Sequence, residues 1–264
     1  MRTLAVVACM VVLAGAAAAA AVEKDPIARA RAFYNSGAFD QAIAAAEQAR
    51  TTPGHADSAD LIAARAYLER FRKIATADDL ASARTRLRRI DAQRLGPRER
   101  LELLVGLGET LYLDESYGAA AAVFGSVLAN PGALTPDARE RVLDWWAQAR
   151  DRDARPRSDL DRQPVYDQIR RRMEAELAER PASGTAVYWL VAAARAQGDW
   201  QGAWDAAQAG WVRAPLAAER GRRLREDLDA LVVRGLVPER ARALGQPPET
   251  LRQEWEQFKE RWKK

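Results

Sequence analysis

Histidine and cysteine are almost missing from this 264-residue chain, which holds one of each, His55 and Cys9. A tetrahedral zinc centre draws on several Cys and His ligands, so a His-ligated zinc site, a His pair and a Cys₂His₂ site are all excluded. Lysine is scarce as well. It supplies five of the 41 basic residues, which leaves 36 arginines. Neither sign of charge dominates, since 41 bases face 37 acids for a formal charge of +4. No stretch shows the sustained period-2 alternation of a half-buried strand. What remains is 48% hydrophobic and 30% charged, the composition of a folded protein rather than a disordered or membrane-embedded one. The length allows one large domain or two small ones.

Residues 1–21 carry the pattern of an export leader. Arg2 is the positive start, Leu4 to Leu13 the apolar run, and Ala16 to Ala21 supply the small residues that signal peptidase requires. Cleavage near Ala20 or Ala21 would start the mature chain around Val22 and place it in the periplasm or outside the cell. The alternative is a retained anchor. The run of about 20 residues is long enough to span a bilayer, but its second half is nearly all alanine and has little drive to stay in lipid. Val6-Val7-Ala8-Cys9 loosely resembles a lipobox, yet the apolar run continues past Cys9 to Leu13 and too few residues precede the cysteine. With the leader removed, the mature protein has no thiol and needs no disulfide.

Beyond the leader, Ala, Arg, Leu and Glu dominate, and all are strong helix formers. Leu231 to Val237 is the one patch rich in β-branched residues, and it sits inside an amphipathic pattern. Thr135-Pro136 reads as a helix N-cap and first helical residue, while Gly96-Pro97 and Asn130-Pro131 mark breaks between helices. The expected fold class is all-α.

Three segments align on one turn: Gly37-Ala38-Phe39, Glu115-Ser116-Tyr117 and Gly198-Asp199-Trp200. Each is followed by alanine three residues after the aromatic, at Ala42, Ala120 and Ala203. The small residue lets the two flanking helices approach closely, and the aromatic plugs the gap between them. This pattern resembles the tetratricopeptide repeat. In the middle unit, Leu104, Leu107, Gly108 and Leu111 occupy the first-helix positions. Tyr117, Ala120, Phe124 and Val127 occupy the second, and Pro131 closes the unit. The last unit carries Val187, Leu190, Trp200, Ala203, Ala207 and Pro215, with Val191 where the family prefers a small residue.

The first unit offers Ala30, Phe33, Gly37, Phe39, Ala42, Ala46 and Ala49, with Pro26 and Arg29 at positions expected to be apolar. A degenerate fourth unit spans Asp57 to Leu95. It sets Leu61, Ala64 and Leu68 against Ala83, Leu87 and Ile90 across a lengthened turn around Thr76-Ala77-Asp78. The resemblance implies a superhelical solenoid of antiparallel helical hairpins with a C-terminal capping helix. The competing fold is a generic helical bundle.

Four segments follow: the leader at 1–21, repeats at 22–150, a charged linker at 151–164, and a second helical block at 165–264. Arg150 to Pro164 alternates Arg with Asp, holds two prolines and has almost no apolar residue, which suits a solvated connection. The other reading of this segment is a charged helix continuing from Trp145-Trp146. In the second block, Val165, Ile169, Met173 and Leu177 mark one face of a helix ended by Pro181.

Catalytic constellations are weak. His55, Asp57 and Ser58 lie within four residues, but a triad needs its groups to converge from separated elements. Asp57 or Ser58 is better read as a helix N-cap. Glu109, Asp114 and Glu115 invite comparison with a glycosidase carboxylate pair, yet no second acid has a spacing that fixes it across a sugar site. Gly106-x-Gly108 has neither a preceding strand nor a third glycine, so it reads as helix packing rather than nucleotide binding. The basic clusters Arg84, Arg86, Arg88, Arg89 and Arg170-Arg171-Arg172 are interspersed with acids. With an export leader as well, a nucleic-acid partner is not expected. No catalytic residue, cofactor or metal is expected.

What the repeat resemblance implies instead is a concave face lined by first helices, with a protein or peptide partner bound along it. Arg31, Tyr34 and Asn35 from the first unit, Glu109 and Tyr112 from the middle, and Tyr188 and Arg195 from the last are the candidate partner-binding residues. Tyr and Arg are frequent binding anchors. The competing role for these tyrosines is packing against the next repeat. The family's carboxylate clamp uses lysines and asparagines, to which only Asn35 corresponds. At the C-terminus, Leu251, Trp255, Phe258 and Trp262 form one apolar stripe opposite Arg252, Lys259, Arg261, Lys263 and Lys264. That stripe caps the last repeat or, in the alternative, docks to a partner or membrane surface through Trp255, Phe258 and Trp262. The leader and the Ala/Arg bias point to a bacterial-type cell envelope. The alternative function is a glycan-processing enzyme or accessory acting on the cell wall.

Overall fold

The structure, a computed structural model, describes residues 25–130, 132, 134–217 and 219–263. The leader, Cys9, Pro131 and Lys264 lie outside the described residues. Within them the chain is all-α, with short 3-10 turns and no strand. It divides into two compact units, the first ending at Ser116 and the second beginning at Tyr117.

In the first unit α1 (Pro26–Asn35), α2 (Phe39–Arg50), α3 (Ala56–Ile74), α4 (Ala77–Arg89) and α5 (Pro97–Leu113) follow one another, and consecutive helices pack together. The core is a seam of small residues, Ala42, Ala46, Ala49, Ala63 and Ala64, into which Leu61, Leu68 and Leu87 project. Gly106 belongs to the same logic. A Cβ there would touch the Leu87 side chain at 3.4 Å, an ordinary packing distance, so α5 lies in close contact with α3 and α4 at this point.

In the second unit α6 (Tyr117–Leu128) packs on α7 (Pro136–Ala154), and α8 (Asp159–Glu179) packs on α9 (Gly184–Ala196). α10 (Trp200–Arg213) packs on α9 in turn. Ala203, Ala207 and Gly210 form the close-approach seam of α10, and a Cβ at Gly210 would overlap Val187. α11 (Glu219–Leu231) leads through a π-turn (Val232–Leu236) into α12 (Val237–Leu244), and α13 (Pro248–Arg261) closes the chain. Pro238 explains the π-turn: a proline inside a helix lacks an N–H and its ring clashes with the carbonyl four residues back. Widening the preceding turn moves that carbonyl away.

The three aligned turns share one backbone geometry. Gly37, Glu115 and Gly198 all take positive φ, at 76°, 60° and 76°. Their N–H groups donate to the carbonyls of Tyr34, Tyr112 and Arg195, each three residues back. The next residue's N–H in each case reaches five residues back, to Phe33, Leu111 and Ala194. This is a left-handed helix stop, and it recurs at the positions that the repeat alignment equates.

Several expectations are corrected. The segment 151–164 is helical apart from the connection at 155–158: α7 runs through Ala154, α8 begins at Asp159 under the Ser158 cap, and Pro164 lies inside α8. Its alternating charges fall into helix-compatible pairs, Arg155 with Asp151, Arg157 with Asp153 and Arg162 with Asp159, which support a helix rather than break one. The first compact unit ends at Ser116 and the second begins at Tyr117, within the middle of the three aligned turns. The turn between α3 and α4 is short, because Ala75 stops α3 at φ 53° and Thr76 already caps α4. His55, not Asp57 or Ser58, occupies the cap position of α3. Leu104, assigned to a packing position of the repeat, is exposed.

Candidate functional site

Within the second unit, α7, α9 and α11 enclose a groove of about 1270 Å³. α7 turns one face to it. Asp137, Glu140, Asp144, Gln148 and Asp151, at spacings of three and four, all line the groove because such spacings recur on one side of a helix. α9 adds Thr185, Tyr188 and Trp189, and α11 adds Arg220, Arg223 and Asp227.

The centre of the groove is fixed by neutral donors. Trp189, nearly buried, donates its indole N–H to Asp144 Oδ1 at 2.8 Å. Gln148 donates to Asp144 Oδ2, also at 2.8 Å. Glu140 Oε2 accepts the backbone N–H of Thr185 at 3.0 Å, in the first turn of α9, where free amide groups favour a carboxylate. Neither Glu140 nor Asp144 has an Arg or Lys within ion-pair distance among the described residues. Glu140 and Asp144 are half-buried, and the fully buried carboxylates elsewhere are held differently. Asp60 meets Arg86 at 2.7 Å, Asp79 meets Arg70 at 2.5 Å and Glu176 meets Arg139 at 2.7 Å.

Tyr188 stands edge-on to Trp189, with ring centroids 5.7 Å apart. Its hydroxyl makes no hydrogen bond among the described residues, and burial pushes its pKa up, helped by the negative charges of Asp227 and Asp144. The other acids of the groove each face an arginine, Asp227 only loosely. Arg220 spans to Asp137 at 3.0 Å, Arg155 holds Asp151 at 2.6 Å, and Arg223 approaches Asp227 at only 3.9 Å. Asp151 also accepts the Tyr166 hydroxyl at 3.0 Å, and burial followed by that nearby charge pushes the phenol up to about 12.

Of the seven residues expected on a binding face, Tyr188 lines this groove. Arg195, on the same helix, is committed elsewhere: it donates to both oxygens of Glu239 at 2.7 and 2.5 Å. It also presses on the π-turn, where a Cβ at Gly235 would lie 2.9 Å from its guanidinium carbon. In the first unit, Arg31 and Tyr34 do share a face. Arg31 donates to Glu99 at 2.6 Å and to Glu102 at 3.5 Å. Arg65 bonds Glu102 at 3.0 Å and lies 4.5 Å over the Tyr34 ring. Asn35 is exposed at the end of α1, and Glu109 and Tyr112 are half-buried on α5.

His55, Asp57 and Ser58 do not converge. Asp57 accepts the Asp91 N–H at 2.8 Å, and the Ser58 hydroxyl bonds Glu99. Asp114 is paired with Arg84. Trp255 and Phe258 are core residues, 0% and 8% exposed, so they are not available for docking. Trp262 alone of that stripe remains half-exposed. No group of three His, Cys, Asp or Glu side chains among the described residues is arranged to hold a metal, and no described helix is long and apolar enough to cross a membrane.

Sequence reasoning missed Glu140, Asp144, Trp189 and Asp227. The 3-4-4-3 acid and amide stripe on α7 was the available signal, but it has the appearance of an ordinary solvated face until α9 is laid beside it. No protein-family model matches the chain, and neither a curated protein nor a solved structure is similar to it.

Proposed function

We propose that this protein is a non-catalytic scaffold of the tetratricopeptide-like kind, exported to a bacterial-type cell envelope, that binds an extended segment of a partner protein along the α7–α9–α11 groove. The observation that carries this reading is the lining. Three alternate helices of consecutive packed pairs bring Tyr188 and Trp189 to the floor of an open groove whose polar groups are already oriented. An aromatic anchor beside pre-fixed polar groups is the usual composition of a peptide-binding hot spot. The leader sequence supports the location.

The glycan-hydrolase alternative needs a carboxylic acid kept protonated near neutrality. At Glu176 and Glu99, burial pushes the pKa upward, but hydrogen bonds and arginine charge outweigh it and leave both acids below the usual range. That arrangement suits ion pairing rather than proton donation.

Photo-crosslinking in cells tests the reading. A benzophenone side chain replacing Arg141, on the groove rim, should capture a discrete partner, whereas one replacing Arg252, exposed on α13, should not. Adding Tyr188→Ala should cut the Arg141-site product by at least about tenfold, the effect of losing one hot-spot side chain. Equal capture from both positions, or no effect of Tyr188→Ala, would remove the groove from consideration.

A further inference from the structure

The two carboxylates at the centre of the groove are the exception to this chain's electrostatic habit. Asp60, Asp79 and Glu176 are enclosed and each is bonded by an arginine. Glu140 and Asp144, one helical turn apart on α7, are instead oriented by a backbone amide, an indole N–H and a side-chain amide. Neutral donors fix the direction of a carboxylate without placing an opposite charge beside it. Five arginines also line the groove: Arg220, Arg155 and Arg223 face Asp137, Asp151 and Asp227, Arg152 lies over the Tyr117 ring, and none of the five pairs with Glu140 or Asp144 among the described residues. Arg141 is exposed on the rim and forms no ion pair among the described residues. Asp227 adds a further acid from the opposite wall, held only loosely by Arg223 at 3.9 Å.

Between the walls stands Tyr188, whose hydroxyl has no hydrogen-bond partner among the described residues, with its ring edge-on to Trp189. An aromatic face next to uncompensated carboxylates is the environment that a guanidinium or ammonium group seeks, through charge-assisted hydrogen bonds on one side and cation–π attraction on the other. The stem of such a side chain would lie along the apolar part of the floor.

We infer that the groove recognises a basic side chain, arginine or lysine, of the extended segment it binds, seated against Tyr188 with Glu140 and Asp144 as its counter-charges. This inference rests on the peptide-binding reading and specifies the chemistry of the partner. Specificity comes from the fixed pair of acceptors. A neutral or acidic residue at the same place would desolvate two carboxylates without replacing their lost water, which is an effective means of rejection.

A phage-displayed library of random decapeptides, selected on the full-length protein, tests it. The enriched pool should be richer in Arg and Lys than the starting library by about threefold or more. In the strongest selected peptide, replacing the shared arginine by citrulline, which keeps the shape and removes the charge, should weaken binding to the wild-type protein about tenfold, the usual worth of one charge-assisted contact. The double variant Glu140→Gln, Asp144→Asn retains acceptors for the Thr185 and Trp189 donors. It should keep its helical circular dichroism and lose the preference for basic peptides. A pool of neutral or acidic peptides that still depends on Tyr188 would leave the groove as a peptide site and overturn the basic-residue inference. If no decapeptide is enriched, the inference and the peptide-binding reading both fall.

Discussion

Glu176 shows how single residues hold this protein together. It is 3% exposed and receives two hydrogen bonds from Arg139, at 2.8 and 2.7 Å, and one from Arg180 at 3.1 Å. Arg139 spends its remaining nitrogen on the Leu128 carbonyl at 3.2 Å, so it ties α8 and α7 to the end of α6. Burial alone would push Glu176 upward, yet the bonds and charges of Arg139 and Arg180 leave its pKa lowered. A carboxyl with a depressed native pKa contributes stability that is complete above its unfolded value, about 4.3, and is lost as pH falls through the lower native value. Urea midpoints should therefore drop between about pH 5 and about pH 2 more steeply in the wild type than in an Arg139→Met, Glu176→Leu variant. At neutral pH, Glu176→Ala alone should cost about 3–5 kcal/mol, because it strands a buried guanidinium, while the paired apolar replacement stays much closer to wild type. A wild type no more acid-sensitive than the apolar pair would refute this account. The scarcity of lysine fits the same use, since the planar fork of arginine can serve two or three acceptors at once. None of this was legible beforehand: Arg139 and Glu176 are 37 positions apart and look like the other charges on their helices.

At the scale of elements, the C-terminal helix is the clearest case of a pattern whose use depends on its neighbours. The sequence shows an apolar stripe on α13 but not what covers it. In the structure Leu251, Trp255 and Phe258 close the core of the second unit. Trp255 stands edge-on to Trp204 and Trp211 at 5.8 and 5.6 Å and stacks on Phe258 at 5.6 Å. Its indole donates to Asp229 at 2.9 Å, and Lys259 joins the same carboxylate at 2.6 Å. Truncation after Gly245 should expose Trp204 and Trp211, lower the thermal midpoint sharply and red-shift tryptophan emission. Trp255→Ala alone should cost about 3–5 kcal/mol. A truncated chain as stable as the full one would show that α13 is a detachable arm. The turns were the most legible elements, because one local rule, a left-handed residue followed by an aromatic, governs Gly37, Glu115 and Gly198 alike. The charged stretch after Arg150 misled for the opposite reason: it lacks apolar residues, but its ion pairs and the Ser158 cap suffice to keep it helical.

At the scale of the whole molecule, the fold class follows from composition and helix signals, whereas the division into units depends on contacts between distant positions. The second unit, from Tyr117 onward, has α7 as a central part: Val142, Leu143 and Trp146 are buried, and α7 packs on α6 and approaches α9. Removing α7 would leave Glu176 without Arg139, Trp189 without Asp144 and the groove without one wall. Two fragments therefore separate the observed boundary from the one suggested by the charged stretch. A chain of residues 117–264 should be helical and unfold in urea with a single cooperative transition. A chain of residues 165–264 keeps residues 165–179 of α8 and all of α9 to α13 but lacks that wall. It should show a shallower transition at lower urea, since exposing apolar surface while taking Arg139 from the buried Glu176 removes stability from two sources. Equal midpoints and slopes for the two fragments would mean that α6 and α7 are not integral to the unit that builds the groove.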